Sequence, residues 1–89
     1  MTENTSYGKA LYNRRMSSKD RKMIAYIVAC IGEFARASDR TTQEAYRYLD
    51  LNGGIDFLME FYDTEHLLSL DDAIEDLRTV TLRKRGLSA

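Results

Sequence analysis

The feature that most constrains this chain is a single apolar stripe. Ile24, Ile27, Val28, Ile31, Phe34 and Ala35 recur at intervals of three and four residues within MIAYIVACIGEFA. That spacing puts them on one face of an α-helix, and Met23, Tyr26 and Cys30 widen the face. A helix with so wide an apolar face has to be covered by other elements. The rest of the 89-residue chain must supply that cover, and it contains no proline to interrupt further helices.

Helix start and stop signals divide the rest. Ser17 or Ser18 can cap the first helix, with Asp20 in its first turn, where the dipole favours negative charge. The helix is expected to reach about Ala37, and Ser38-Asp39-Arg40 to form the turn. Thr41-Thr42-Gln43-Glu44 spells a capping box, followed by an inner face of Ala45, Tyr48 and Leu49, with Tyr46 at its edge. Asn52-Gly53-Gly54 stops this second helix. Ile55, Phe57, Leu58, Met59, Phe61 and Tyr62 are apolar nearly all round, so a short, well-buried third helix is expected, ending near Asp63 or Thr64. Ser69 caps a fourth, whose inner face is Leu70, Ala73, Ile74, Leu77 and Val80, and Gly86 ends it. The expectation is an all-α protein: a compact bundle of about four helices over 17–86, a flexible basic N-terminal arm over 1–16 and a tail over 87–89. Tyr7, Leu11, Tyr12 and Met16 of the arm could pack on the domain. One small core of this size implies a net stability of roughly 5 kcal/mol.

The net charge is −1, but the charges are unevenly placed. Residues 1–22 hold six bases against two acids, and residues 39–77 hold eleven acids against Arg40 and Arg47. Arg78, Arg83, Lys84 and Arg85 follow. Solvated helix faces account for such a pattern, and so does an acidic docking face for a basic partner. The apolar run around Ile27-Val28-Ala29-Cys30 loosely matches a lipoprotein cleavage box, but it is about 13 residues long against the roughly 20 a spanning helix needs. The helical pattern continues straight through it, so Cys30 reads as a small core residue, and no membrane association is expected. A lone cysteine allows no internal disulfide, which fits a reducing cytoplasm.

Catalytic chemistry finds little support. The only histidine, His66, lies in FYDTEHLLSLDDAIEDL among Asp63, Glu65, Asp71, Asp72 and Glu75. Metal sites need several correctly spaced ligands, and these acids fit the first turn of a helix, so no metal and no cofactor are expected. His66 reads as a residue of the helix joint that caps a carbonyl. Cys30 has no adjacent base and sits mid-helix in an apolar stripe, where a thiolate is disfavoured. The paired acids Asp71-Asp72 and Glu75-Asp76 are assigned to an exposed helix face. No phosphate-cradling glycine loop is present. The expectation is therefore a protein without enzymatic activity.

Helix, glycine turn and helix over 41–63 resemble a helix-turn-helix outline, but the second helix would carry Asp56, Glu60 and Asp63 and no base. Phosphates would be repelled from it. Nucleic-acid binding, the alternative function, falls to Arg14, Arg15, Lys19, Arg83, Lys84 and Arg85. Nine aromatic residues, six of them tyrosines, favour protein–protein interaction instead. The candidate face combines the acids Glu44, Asp56, Glu60, Asp63, Asp72, Glu75 and Asp76 with Tyr46, Tyr62 and His66.

Three stretches carry a family resemblance: KMIAYIVACIGEFA, TTQEAYRYL with the apolar segment after it, and FYDTEHLLSLDDAIEDL. Together, residues 22–86 resemble the bacterial "domain of unknown function 3791" family, with Tyr62, His66, Glu75 and Asp76 at matching positions. The resemblance implies a small helical protein of bacterial or phage origin acting in the cytoplasm. It also implies an accessory or antitoxin-like role beside another protein, a toxin-type enzyme being one such partner; a homodimer is a further expectation.

Overall fold

The computed structural model describes residues 17–88, and every regular element among them is a helix. The arm expected over 1–16, with Arg14 and Arg15, lies outside the described residues. The elements are α1 (Ser18–Ala37), α2 (Thr42–Leu51), α3 (Gly54–Glu60), α4 (Tyr62–Glu65) and α5 (Leu70–Ser88).

Local chemistry sets the helix ends. The Ser17 hydroxyl accepts the Asp20 N–H at 3.0 Å. At α2 the capping box is complete: Thr41 Oγ1 accepts the Glu44 N–H at 3.1 Å, and Glu44 Oε1 accepts the Thr41 N–H at 2.9 Å. Ser69 Oγ accepts the Asp72 N–H at 3.1 Å at the start of α5. Each such cap is worth about 1 kcal/mol. After α1 the chain reverses at Asp39, which takes a left-handed φ of 55°. The Arg40 N–H then reaches the Ala35 carbonyl at 2.9 Å, the glycine-type helix ending made with an aspartate.

The core is drawn from all five helices. Cys30, Ile31, Phe34 and Ala35 of α1 meet Ala45 and Leu49 of α2, Leu58 of α3, Tyr62 of α4, and Ala73, Ile74 and Leu77 of α5. The inner faces expected for α2 and for the middle of α5 are those found. Polar core atoms are mostly satisfied: the fully buried Thr81 donates to the Leu77 carbonyl at 2.8 Å and accepts the Tyr48 hydroxyl at 3.2 Å. The Tyr48 ring stacks on Phe34, with centroids 5.7 Å apart, and the Arg40 guanidinium lies 4.1 Å from its centre. Tyr48 thus ties α1, α2 and α5 together.

Four expectations need correction. The third apolar segment is two helices, because the backbone turns at Phe61 and restarts as the single turn α4. That segment is not wholly buried: Met59 and Phe61 keep about half their surface, since a seven-residue helix at the edge can turn only one side inward. Val28 and Leu70 point outward instead of joining the stripe, because neither α1 nor α5 is covered all round. Finally, α5 runs through Gly86 to Ser88.

The tightest approach falls at Gly54. A Cβ there would lie 2.8 Å from Leu49 Cδ2 and 3.2 Å from Thr81 Cγ2, so only glycine lets α3 start this close to α2 and α5. Gly32, inside α1, has no such neighbour within 4 Å. Gly54→Ala should therefore cost about 1–3 kcal/mol in urea unfolding. Gly32→Ala should gain up to about 1 kcal/mol from helix propensity. Equal effects of the two substitutions would contradict the packing described.

Candidate functional site

Two places collect the chemistry-bearing residues. The first is a slot of about 370 Å³ between α3 and α5. Phe57, Phe61 and Val80 supply its apolar surface, Asp56 and Glu60 line it from α3, and Arg83 and Lys84 from α5. The left-handed Gly53 closes one end, and the Lys84 stem lies against it: a Cβ on Gly53 would be 3.8 Å from Lys84 Cδ. Asp56, Glu60 and Arg83 form no ion pair among the described residues, where the pairs are Lys19–Asp63 at 3.2 Å and Arg36–Glu33 at 2.8 Å. The slot thus has an apolar floor, an acidic wall and a basic wall. Phe61 stands 46% exposed in it, its ring 5.2 Å from that of Phe57.

The second place is the joint around α4. Tyr62 is buried, packed edge-on against Tyr26 of α1 at 5.6 Å and stacked on the His66 ring at 4.4 Å. His66 Nδ1 lies 2.7 Å from the Tyr62 carbonyl, which places a ring proton on Nδ1, because only a donor can face a carbonyl. His66 therefore closes the end of α4, the joint role read from the sequence. Tyr26 donates its hydroxyl to the Glu65 carbonyl at 3.0 Å, and burial raises its pKa. Burial likewise pushes the Cys30 thiol up, which suits an inert core cysteine.

Glu65 is the residue that sequence reasoning missed. It is only 5% exposed, its Oε1 has no hydrogen-bond partner, and the Asp76 carboxyl of α5 acts on it. Burial first, and then the nearby Asp76, push its pKa up to about 7. Asp76 is correspondingly half-buried, not on an exposed face as its pairing with Glu75 suggests. The available signal was Glu65's position three residues after the buried Tyr62, on the same side of one helical turn.

The ten candidate binding residues thus separate. Asp56 and Glu60 share the slot. Tyr62, His66 and Asp76 belong to the joint, and Asp63 holds Lys19. Glu44 is occupied as a cap, and hydrogen bonding to Thr41 lowers its pKa. Tyr46 on α2, and Asp72 and Glu75 on α5, are exposed outside the slot lining. Of the alternative basic set, Arg83 and Lys84 line the slot, Arg85 lies 5.9 Å from the Tyr48 ring centre and Lys19 is paired. No helix among the described residues is long and apolar enough to cross a membrane, and none of their His, Cys, Asp and Glu residues form a metal-holding group of three.

The described residues define the structural class: a small all-helical bundle with a two-walled slot and an aromatic joint. Its residues 25–82 match the family model described as "Protein of unknown function (DUF3791)", about two thirds of the chain, and the chain belongs to that family. The match covers all of α2, α3 and α4 and most of α1 and α5. Neither the curated proteins nor the solved structures contain a match.

Tyr26→Phe should lower stability by about 1 kcal/mol in denaturant unfolding, because the Glu65 carbonyl loses one of its two donors. An unchanged unfolding midpoint would remove the hydroxyl from the account of the joint.

Proposed function

We propose that the chain is a non-enzymatic protein-binding module and that the slot between α3 and α5 is its docking site. The observation that carries this reading is the half-exposed Phe61 between walls of opposite charge whose Asp56, Glu60 and Arg83 are unpaired among the described residues. Aromatic side chains framed by polar groups are the usual anchors of protein interfaces. The occupant is an amphipathic helix of another protein: apolar side chains on Phe57 and Phe61, a base toward Asp56 and Glu60, an acid toward Arg83. The slot's volume of about 370 Å³ leaves room for the apolar side chains of such a helix.

The family resemblance adds a class of partner, a toxin-type enzyme, and with it an antitoxin-like or accessory role in a bacterial or phage cytoplasm. The buried, unpaired Cys30 goes with a reducing compartment. Nucleic acid is the weaker reading, because Asp56 and Glu60 stand in the same slot as Arg83 and Lys84 and would repel phosphates.

The test is affinity capture from source-cell lysate at two salt concentrations, with wild type, Phe61→Asp and Glu60→Lys, each first checked for helical content. One stoichiometric protein should be held by wild type at both salts. Phe61→Asp should lose it, and Glu60→Lys should weaken it about tenfold or more. Capture unchanged by both substitutions, or nucleic acid released at high salt with no protein, would reject the slot.

A further inference from the structure

We propose that Glu65 and Asp76 form a proton-binding site that locks α4 onto α5. Glu65 sits on the single turn of α4, and Asp76 lies opposite it on α5. Glu65 is only 5% exposed and its Oε1 has no hydrogen-bond partner, and Asp76 is the acid that acts on it; two carboxylates offer only acceptors to one another, so a proton held by one of them relieves both the burial and the repulsion.

No ion pair among the described residues puts a base in the proton's place. The ionisable groups that act on Glu65 are Tyr26 and Cys30 from α1 and Asp76 from α5, none of them basic. On its own element, His66 turns Nδ1 to the Tyr62 carbonyl, and Asp63 is held by Lys19. Glu65 Oε1 is buried without a hydrogen-bond partner. With the carboxyl protonated, the group is neutral and tolerates burial far better than a carboxylate.

The sign follows. Glu65 holds its proton in the fold to a pH of about 7, well above the ordinary glutamate value of 4.5. The lock is complete below about 4.5 and is lost as pH rises through about 7. On ionisation α4 loses its hold on α5 and retains the Tyr26 hydroxyl bond and the Tyr62 ring contacts. Phe61 is the residue directly before α4, so opening the joint loosens the aromatic side of the slot. That last consequence rests on the docking reading; the proton site does not.

Two measurements on the full chain test the site without any partner. The first is a carbon-13 NMR titration of the Glu65 side-chain carboxyl in wild type, which needs no variant. A midpoint near 7 is expected, and an ordinary midpoint near 4.5 would overturn the proposal. The second is native-state hydrogen exchange of the Glu65, His66, Leu67 and Leu68 amides, corrected for intrinsic rates, at pH 5 and pH 8. Their opening constant should rise on the order of 50-fold in wild type and stay flat in Glu65→Gln. The same rise in Glu65→Gln, or no rise in wild type, would also overturn it. Failure of the slot variants to lose a partner would leave both readouts untouched, so the two proposals fail separately.

Discussion

The approach of α3 to α2 and α5 at Gly54 is the constraint on which the rest depends. With no Cβ at that position, the Leu49 side chain and the Thr81 methyl pack directly against the start of α3. The Asn52-Gly53 turn then sits beside α5, and Asp56, Phe57, Glu60 and Phe61 face Val80, Arg83 and Lys84 across a narrow opening. A larger residue at 54 would push α3 off α5 and dissolve the slot. The same contact brings Leu49 and Leu58 to full burial. Fold and candidate site are consequences of one close packing event.

The interior separates two kinds of polar group. Thr81 is fully buried and fully used, accepting from Tyr48 and donating to Leu77. It stabilises the structure at little cost, because each of its hydrogen-bonding roles is filled. Glu65 is almost as deeply buried, with its Oε1 unpartnered and a second carboxyl, that of Asp76, acting on it. In a domain with only a few kcal/mol of net stability, such a group is expensive unless it carries a proton. That expense falls at the junction of α1, α4 and α5, where a single turn of helix has few other attachments.

Most of the architecture was legible in the sequence because it rests on local rules. Ser17, Thr41 and Ser69 each cap the helix they announce, and the inner faces of α2 and mid-α5 follow from spacing alone. The role of His66 as a cap at the joint was legible for the same reason. What could not be read depends on how helices are set against one another. Val28 and Leu70 satisfy the helical period yet face outward, because period fixes a face and not the width of its cover. The break at Phe61 has no glycine or proline to mark it. Setting Asp56 and Glu60 across from Arg83, or Glu65 near Asp76, requires the crossing of α3 and α4 with α5, which no local pattern encodes. The acidic middle seen as one face in the sequence is thus divided among a slot, a joint and a helix cap.

The most direct test of the central claim, that this family member binds another protein through the α3–α5 slot, is site-specific photocrosslinking in the source cell. A photoreactive phenylalanine analogue would be placed at Phe61, inside the slot, and separately at the exposed Tyr46 on α2, outside it. The account predicts one covalent protein adduct from position 61 and none from position 46. Adducts from position 46 with none from position 61 would contradict it.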